Sequence, residues 1–187
     1  LDHLEVHQPM KCSNRVALSN FGIKDDQGRL LLNNLNIELK NGDALLIQGP
    51  SGTGKTSLLK AMAGIYPFET VGLVEHPCVT SLFLPQRPYM PQGTLREAIC
   101  YPDIDPYHPE LEKTLTDCCL DKYLHSLDVE NDWQAILSPG ELQRVAFIRI
   151  LLTKPEVVFL DETTSALDEP TEYLLNKTIK ERLPNMI

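Results

Sequence analysis

The chain has 187 residues, 42% of them hydrophobic, and a formal net charge of −9, which suits a soluble globular domain with a real core and room for two lobes. The acidic balance argues against a nucleic-acid partner, which needs a basic face. No run approaches the roughly 18 apolar residues of a membrane span, and Leu1-Asp2-His3-Leu4-Glu5 lacks both an initiator Met and the features of a signal peptide, so the chain reads as an excised piece of something larger.

Residues 1 to about 14 are polar and mixed, and read as a lead-in strap. Val16, Leu18, Phe21 and Ile23 predict a strand with an imperfect period of two. Asp25-Asp26-Gln27-Gly28 is a turn. Leu30-Leu31-Leu32 and then Leu35, Ile37 and Leu39 predict further strands, broken at Asn33-Asn34. Lys40-Asn41-Gly42-Asp43 carries a tight hairpin signal. An antiparallel β layer therefore leads into Ala44-Leu45-Leu46-Ile47, a short apolar run that predicts a buried strand.

Gly49-Pro50-Ser51-Gly52-Thr53-Gly54-Lys55-Thr56 follows and fits G-x-x-x-x-G-K-[ST], the phosphate-binding loop. About one chain in a hundred of this length would match by chance at average residue usage, so context must decide. Leu58, Leu59, Met62 and Ala63 mark one helical face after the loop, with Gly64 and Pro67 as the stop. In a strand–glycine loop–helix arrangement, backbone N–H groups and a helix N-terminus converge on phosphate. Lys55 would reach the β- and γ-phosphates, and the Thr56 hydroxyl would bind Mg²⁺.

Val71 to Val74 and Val79 to Leu84 predict short strands. From Thr94 the periodicity becomes helical, with Thr94-Leu95-Arg96-Glu97 as a capping box. Pro109 to about Leu120 predicts a helix with Leu111, Leu115 and Cys118 or Cys119 on one face. Ser138-Pro139-Gly140-Glu141 opens a helix that runs to about Leu152: Ser138 suits the N-cap, Pro139 the first position, and Glu141 completes a capping box. Gly140 has no helix-forming reason to be there, and points to close approach of something, with an anion as the natural guest. Val157-Val158-Phe159-Leu160 predicts a second buried strand, ending in Asp161-Glu162. Beside a phosphate loop, Asp161 reads as the carboxylate that orients the Mg²⁺ shell and Glu162 as the group that polarises the attacking water. A loop through Thr163-Thr164-Ser165-Ala166-Leu167-Asp168 leads to a helix from about Pro170 that Pro184 ends. Strands interleaved with helices predict a largely parallel core sheet. The scattered cysteines, Cys12, Cys78, Cys100, Cys118 and Cys119, form no metal-ligand spacing and read as reduced core thiols of a cytosolic compartment.

Five elements in this order resemble the ATP-binding domain of ABC transporters, over about residues 15 to 187. They are Gly49 to Thr56 as Walker A, Gln86 as the Q-loop, Leu137-Ser138-Pro139-Gly140-Glu141 as the signature, Val157 to Glu162 as Walker B, and Ser165-Ala166-Leu167-Asp168 as the D-loop. Pro85-Gln86-Arg87-Pro88-Tyr89-Met90-Pro91-Gln92-Gly93-Thr94-Leu95-Arg96 and Asp132-Trp133 are similar to subfamily D, half-transporters for fatty acyl-CoA or cobalamin with bacterial relatives. The resemblance implies an α/β fold: a P-loop NTPase core with a mixed, largely parallel sheet (15–93 and 153–187), an N-terminal antiparallel β layer, a helical subdomain (94–152), and a truncated C-terminal end. It implies a single domain over 1–187 that binds and hydrolyses ATP and couples head-to-tail dimerisation to transport, on the cytosolic face of a membrane. Its partners would be a second ABC domain, in a homodimer, and a transmembrane domain upstream in the same polypeptide. ATP would contact Gly49, Pro50, Ser51, Gly52, Thr53, Gly54, Lys55, Thr56 and Ser57; Mg²⁺ would contact Thr56, Gln86 and Asp161; Lys55, Gln86 and Glu162 would serve catalysis. Ser138, Gly140, Glu141 and Asp168 would meet ATP held by the second copy. A soluble ABC-type ATPase acting on nucleic acid or ribosomes is the alternative.

The chain departs from the family pattern in three places. Pro139 replaces the first signature glycine and removes an N–H. No aromatic occupies the adenine-stacking place upstream of Walker A, where Asp25 aligns. All five histidines, His3, His7, His76, His108 and His125, precede Walker B, so the switch histidine is missing and the isolated chain is expected to be a weak ATPase.

Overall fold

A computed structural model describes residues 10–13, 15–50, 52–76, 81–162 and 165–187. The chain divides into two compact units: Leu1–Phe83, Glu156–Phe159 and Asn185–Ile187 form the first, and Leu84–Pro155 with Leu160–Pro184 the second.

The first unit is built on a four-stranded sheet, ordered β1-β4-β2-β3, of Met10–Cys12 (β1), Val16–Lys24 (β2), Leu30–Leu39 (β3) and Thr70–His76 (β4). β2 is antiparallel to both β3 and β4, and β1 is parallel to β4. Most of the predicted strap lies outside the described residues, but its residues 10–12 are the strand β1. The imperfect period of β2 has a clear cause. Asn20 takes the left-handed conformation (φ 47°) and shifts the register between Leu18 and Phe21, so Leu18 and Phe21 face the same core across an extra residue. β3 does the same at Asn34 (φ 56°), which keeps Leu32 and Leu35 on one face. The predicted break at Asn33-Asn34 is thus a bulge within one continuous strand. Gly72 of β4 (φ 82°) lies against the carbonyls of Ser19 and Asn20, where any Cβ would collide.

Helix α1, Lys55–Met62, packs Leu58, Ala61 and Met62 against Val16, Leu18, Phe21, Ile23 and Val74. Gly64 (φ 74°) ends it, with the Ile65 N–H donating to the Lys60 carbonyl, as the sequence predicts. Ser81–Leu84 (β5) pairs with Val157–Leu160 (β8), and Val157 and Phe159 enter the same core. Residues 79–80 of the predicted strand lie outside the described residues.

Two expectations fail here. Ala44 to Ile47 is not a strand, and Leu46 is 77% exposed. A strand persists only where a neighbour takes up its N–H and C=O groups, and no described strand pairs with this run. Hence Lys40-Asn41-Gly42-Asp43 is a turn, closed by the Asp43 N–H on the Lys40 carbonyl, without being a hairpin. In the four-stranded sheet, where the sequence predicts an antiparallel layer, two of the three pairings are antiparallel.

The second unit is mainly helical. Its centre is α5, Pro139–Thr153, whose Leu142, Val145, Ala146, Phe147, Ile148, Ile150, Leu151 and Leu152 are all buried. A helix buried along most of its length must be surrounded, and α2 (Leu95–Cys100), α3 (Leu111–Asp117) and α6 (Glu169–Arg182) pack on it. Thr94 caps α2 through the predicted capping box: the Glu97 N–H donates to Thr94 Oγ1 at 3.2 Å and the Thr94 N–H to Glu97 Oε2 at 3.0 Å. α3 is shorter than predicted, because Pro109-Glu110 is a turn and Cys119 takes a left-handed conformation (φ 57°). Leu111, Leu115 and Cys118 are its buried face. A short antiparallel pair, Gly93–Thr94 (β6) with Glu130–Asn131 (β7), precedes α4, Trp133–Ile136, and Trp133 is buried with its indole N–H on the Val129 carbonyl. Pro184 follows the end of α6 as predicted. No helix among the described residues is long and apolar enough to cross a membrane.

Candidate active site

The first unit holds the phosphate loop. Gly52 (φ 80°) and Gly54 (φ 87°) take left-handed conformations that turn the chain into α1, and the space where each Cβ would stand is open. Gly54 is the N-cap and offers no side chain, so no capping group occupies the helix N-terminus. Thr53 Oγ1 donates to the Pro50 carbonyl at 2.8 Å, and Lys55 Nζ donates to the carbonyls of Gly49 and Pro50, both at 2.8 Å. The lysine therefore folds back over its own loop and satisfies its charge on backbone oxygens, which a phosphate can replace. Thr56 is exposed on the first turn of α1 and Ser57 follows it, half-buried. Ser51 lies outside the described residues.

The second unit holds the carboxylates Asp161 and Glu162. At the tip of β8 the Asp161 N–H donates to the Leu84 carbonyl at 3.1 Å, which fixes its start beside the end of β5. Glu162 is exposed, in the left-handed region (φ 51°) that a residue with a long side chain rarely adopts. Gln86 Nε2, two residues beyond β5, donates to Glu162 Oε2 at 3.1 Å. The Q-loop amide and the Walker B glutamate, widely separated in sequence, are thus brought together. Thr163 and Thr164 lie outside the described residues.

The signature turn is built as the sequence predicts, with one change of meaning. Ser138 caps α5: the Glu141 N–H donates to Ser138 Oγ at 3.3 Å and the Ser138 N–H to Glu141 Oε2 at 2.8 Å. The Glu141 carboxylate is buried and shared with Lys122 Nζ at 2.6 Å and the Tyr123 hydroxyl at 3.2 Å. Burial pushes this carboxyl up, but Lys122 and the two hydrogen bonds from Ser138 pull it net below the ordinary carboxylate range. Glu141 is therefore fully engaged within its own chain. Gly140 also has a local reason: a Cβ there would stand 2.9 Å from the Ala166 carbonyl, so the anticipated close approach is filled by the chain itself. Asp168 caps α6 by accepting from the Thr171 N–H at 2.9 Å, and hydrogen bonds from Thr171 hold its carboxyl below the usual range.

Three further residues shape the site and escaped the sequence reading. Gln143 Nε2 donates to the Glu162 carbonyl at 3.3 Å and to Ser165 Oγ at 3.0 Å, while its Oε1 accepts from the Ala166 N–H at 2.9 Å. Gln134 Oε1 accepts from the Met90 N–H at 2.8 Å, and its carbonyl from Arg87 at 3.4 Å. Arg149 donates to the Tyr89 carbonyl at 2.7 Å. The signal was present in α5: Gln143 and Arg149 interrupt an apolar run at positions that have to be buried. Burial pushes the thiol of Cys100 up to about 11 and that of Cys118 up to about 12, so both are inert core groups.

A family model described as "ABC transporter" matches residues 32–165. The chain belongs to the ABC transporter family. An "Uncharacterized ABC transporter ATP-binding protein" of Haemophilus influenzae is 79% identical over all of this chain, which spans 32% of that relative. "ABC transporter D family member 2, chloroplastic" of Arabidopsis thaliana is 37% identical over 82% of the chain and 29% of its own length. "ATP-binding cassette sub-family D member 3" of Homo sapiens is 34% identical over 85% of the chain and 26% of its own length. A solved bacterial Atm1-family ABC exporter with ATP bound superposes with a TM-score of 0.80 at 27% identity, covering 99% of this chain and 36% of that one. The chain thus spans between about a quarter and a third of the length of these curated relatives. The expected ABC ATP-binding fold, mixed α/β, is borne out, as is the resemblance to subfamily D.

Proposed function

We propose that this chain is the ATP-binding and hydrolysing motor domain of an ABC transporter, and that it drives solute movement through a transmembrane domain in the same polypeptide. The observation that carries the reading is the phosphate loop of a chain in the ABC family: two left-handed glycines, a helix N-terminus without a side-chain cap, and Lys55 bonded to loop carbonyls that phosphate oxygens can replace. The helical residues 94–152 form the subdomain that carries the signature, inserted in a core of residues 15–93 and 153–187. Two copies associate head to tail, and the domain lies on the cytosolic face of its membrane.

The donor set suits Mg²⁺ brought with ATP. Among the described residues no cluster of three or more His, Cys, Asp or Glu could hold a metal alone. As the family resemblance implies, a hard ion that takes oxygen donors and substrate phosphates would be held by the Thr56 hydroxyl of the first unit and by the Gln86 side-chain carbonyl and Asp161 of the second. When bound with ATP, Mg²⁺ would supply positive charge that offsets the build-up on the phosphates. Lys55 binds and orients the terminal phosphates. Glu162 accepts a hydrogen bond from the attacking water and draws proton density from it. Gln86, already bonded to Glu162, keeps that carboxylate from collapsing onto the surface. Ser138 Oγ and the Gly140 N–H, on the N-terminal turn of α5, meet the γ-phosphate of ATP on the second copy, while Glu141 and Asp168 act by capping the helices α5 and α6. Pro139 leaves that contact with one donor fewer.

The test is steady-state ATP turnover by the full-length protein in lipid. Glu162→Gln should lower kcat on the order of a hundred-fold or more while retaining ATP binding, and Lys55→Ala should weaken the binding itself. Wild-type turnover at a normal rate that Glu162→Gln leaves unchanged would sink the assignment.

A further inference from the structure

Gln143 stands out as a polar side chain, 3% exposed, on the buried face of α5. Its amide is fully used. Both Nε2 hydrogens go to the loop after β8, to the Glu162 carbonyl and Ser165 Oγ, and Oε1 takes the Ala166 N–H. All three partners lie on one short stretch, Glu162 to Ala166. Ala166 meets α5 a second time, where its carbonyl fills the space left by the absent Cβ of Gly140. The first two turns of α5 therefore grip this loop at two points.

The grip bears on the reaction because of the Glu162 backbone. A left-handed glutamate persists only where its surroundings hold it. Here one amide holds its carbonyl, from Gln143 at 3.3 Å, and another holds its carboxylate, from Gln86 at 3.1 Å. A packing role alone does not require this arrangement. A buried Leu or Met fills the volume of Gln143 without the cost of burying an amide.

We infer that Gln143 is a positioning residue for hydrolysis: it fixes the backbone of Glu162 and ties that carboxylate to the helix turn that presents Ser138 and Gly140. This inference rests on the proposed ATPase reading and deepens it. One helix then carries, on its N-terminal turn, the groups offered to a second copy's ATP and, one turn later, the amide that sets the hydrolytic carboxylate of its own chain. A displacement of the N-terminal turn of α5 is passed to Glu162 through a side chain with no slack, since each of its hydrogen-bonding atoms is committed.

The experiment is a double-mutant cycle in the full-length protein, reading melting temperature, KM for ATP and single-turnover kcat. Gln143→Met keeps the volume and removes all three bonds; Gln143→Glu keeps acceptance from Ala166 and loses donation to Glu162. Gln143→Met should lower kcat on the order of ten-fold or more with KM within about two-fold, and Gln143→Glu should fall between it and wild type. In a Glu162→Gln background, Gln143→Met should add little further loss, because it acts through the group already removed. If kcat stays at the wild-type value in folded Gln143→Met, or if its loss multiplies with that of Glu162→Gln, the inference fails. Should Gln143→Met not fold, Ser165→Ala, at an exposed residue that shares the amide, takes its place in the same cycle with the same two outcomes. Failure of the ATPase reading is separate: it would show as wild-type protein without turnover.

Discussion

Arg149 shows how one residue can organise a region without touching the reaction. Its guanidinium is buried, at 6% exposure, and donates to the carbonyls of Tyr89, Ala98 and Ile99 at 2.7, 2.9 and 3.0 Å. No described carboxylate pairs with it, so burial pushes its pKa down to about 10. It still carries its charge at neutral pH, and that charge closes the C-terminal carbonyls of α2 and pins the segment after Gln86. Replacing it should be costly out of proportion to its size. Arg149→Met should destabilise by about 3 kcal/mol or more in urea denaturation, because two buried carbonyls and a part-buried one lose their donor together. Arg149→Lys should recover only part of the loss, since a single ammonium cannot reproduce the fork. Equal stability of the Met variant would show that water replaces the guanidinium. Gly140 teaches a related point. Its sequence position announced a close approach, and the approach is real, but the group that comes close is the Ala166 carbonyl. A sequence shows that space is needed and does not show what fills it.

At the scale of elements, the parts decided by neighbours in sequence were legible. Both capping boxes, Thr94 with Glu97 and Ser138 with Glu141, form as their spacing dictates. So do the stop at Gly64 and the turn at Asp25, whose carboxylate accepts from the Gln27 and Arg29 N–H groups. Parts decided by distant partners were not. Ala44 to Ile47 has the composition of a buried strand and no strand beside it. Asn33-Asn34 looked like a break because a bulge and a break share a polar, left-handed residue, and only pairing with β2 tells them apart. In the site, Gln86 was located by motif, but its bond to Glu162 and the whole role of Gln143 depend on tertiary contact. The caps also offer a clean energetic test. Thr94→Ala removes the acceptor for the Glu97 N–H and leaves the carboxylate of Glu97 without its hydroxyl partner. It should cost about 1 kcal/mol and lower Tm by roughly 2–4 °C in a circular-dichroism melt. A shift near zero would mean that solvent caps α2 equally well.

For the whole molecule, the acidic composition and the depressed carboxyls pull in opposite directions as pH falls. With a net charge of −9, partial protonation relieves self-repulsion between pH 7 and 5. Against this, Asp25, Glu97, Glu110, Asp128, Glu141 and Asp168 all sit below their ordinary values, through hydrogen bonds or partners such as Arg96 for Asp128 and Lys154 for Glu110. A carboxyl with a depressed folded value adds stability that is complete above its unfolded value and is lost as pH falls through the folded one. Stability should therefore be level or slightly rising from pH 7 to 5, and should fall steeply below about pH 4, where the unfolded chain takes up protons first. Glu141 is the group to watch, because its burial denies it the solvent screening that weakens the exposed pairs. Glu141→Gln should melt lower than wild type at pH 7, having lost its pair with Lys122. It should also decline less between pH 5 and 3, having no proton to take up. Parallel decline of the two proteins over that range would show that the Glu141 pairing contributes nothing to acid sensitivity and that the remaining carboxyls carry all of it.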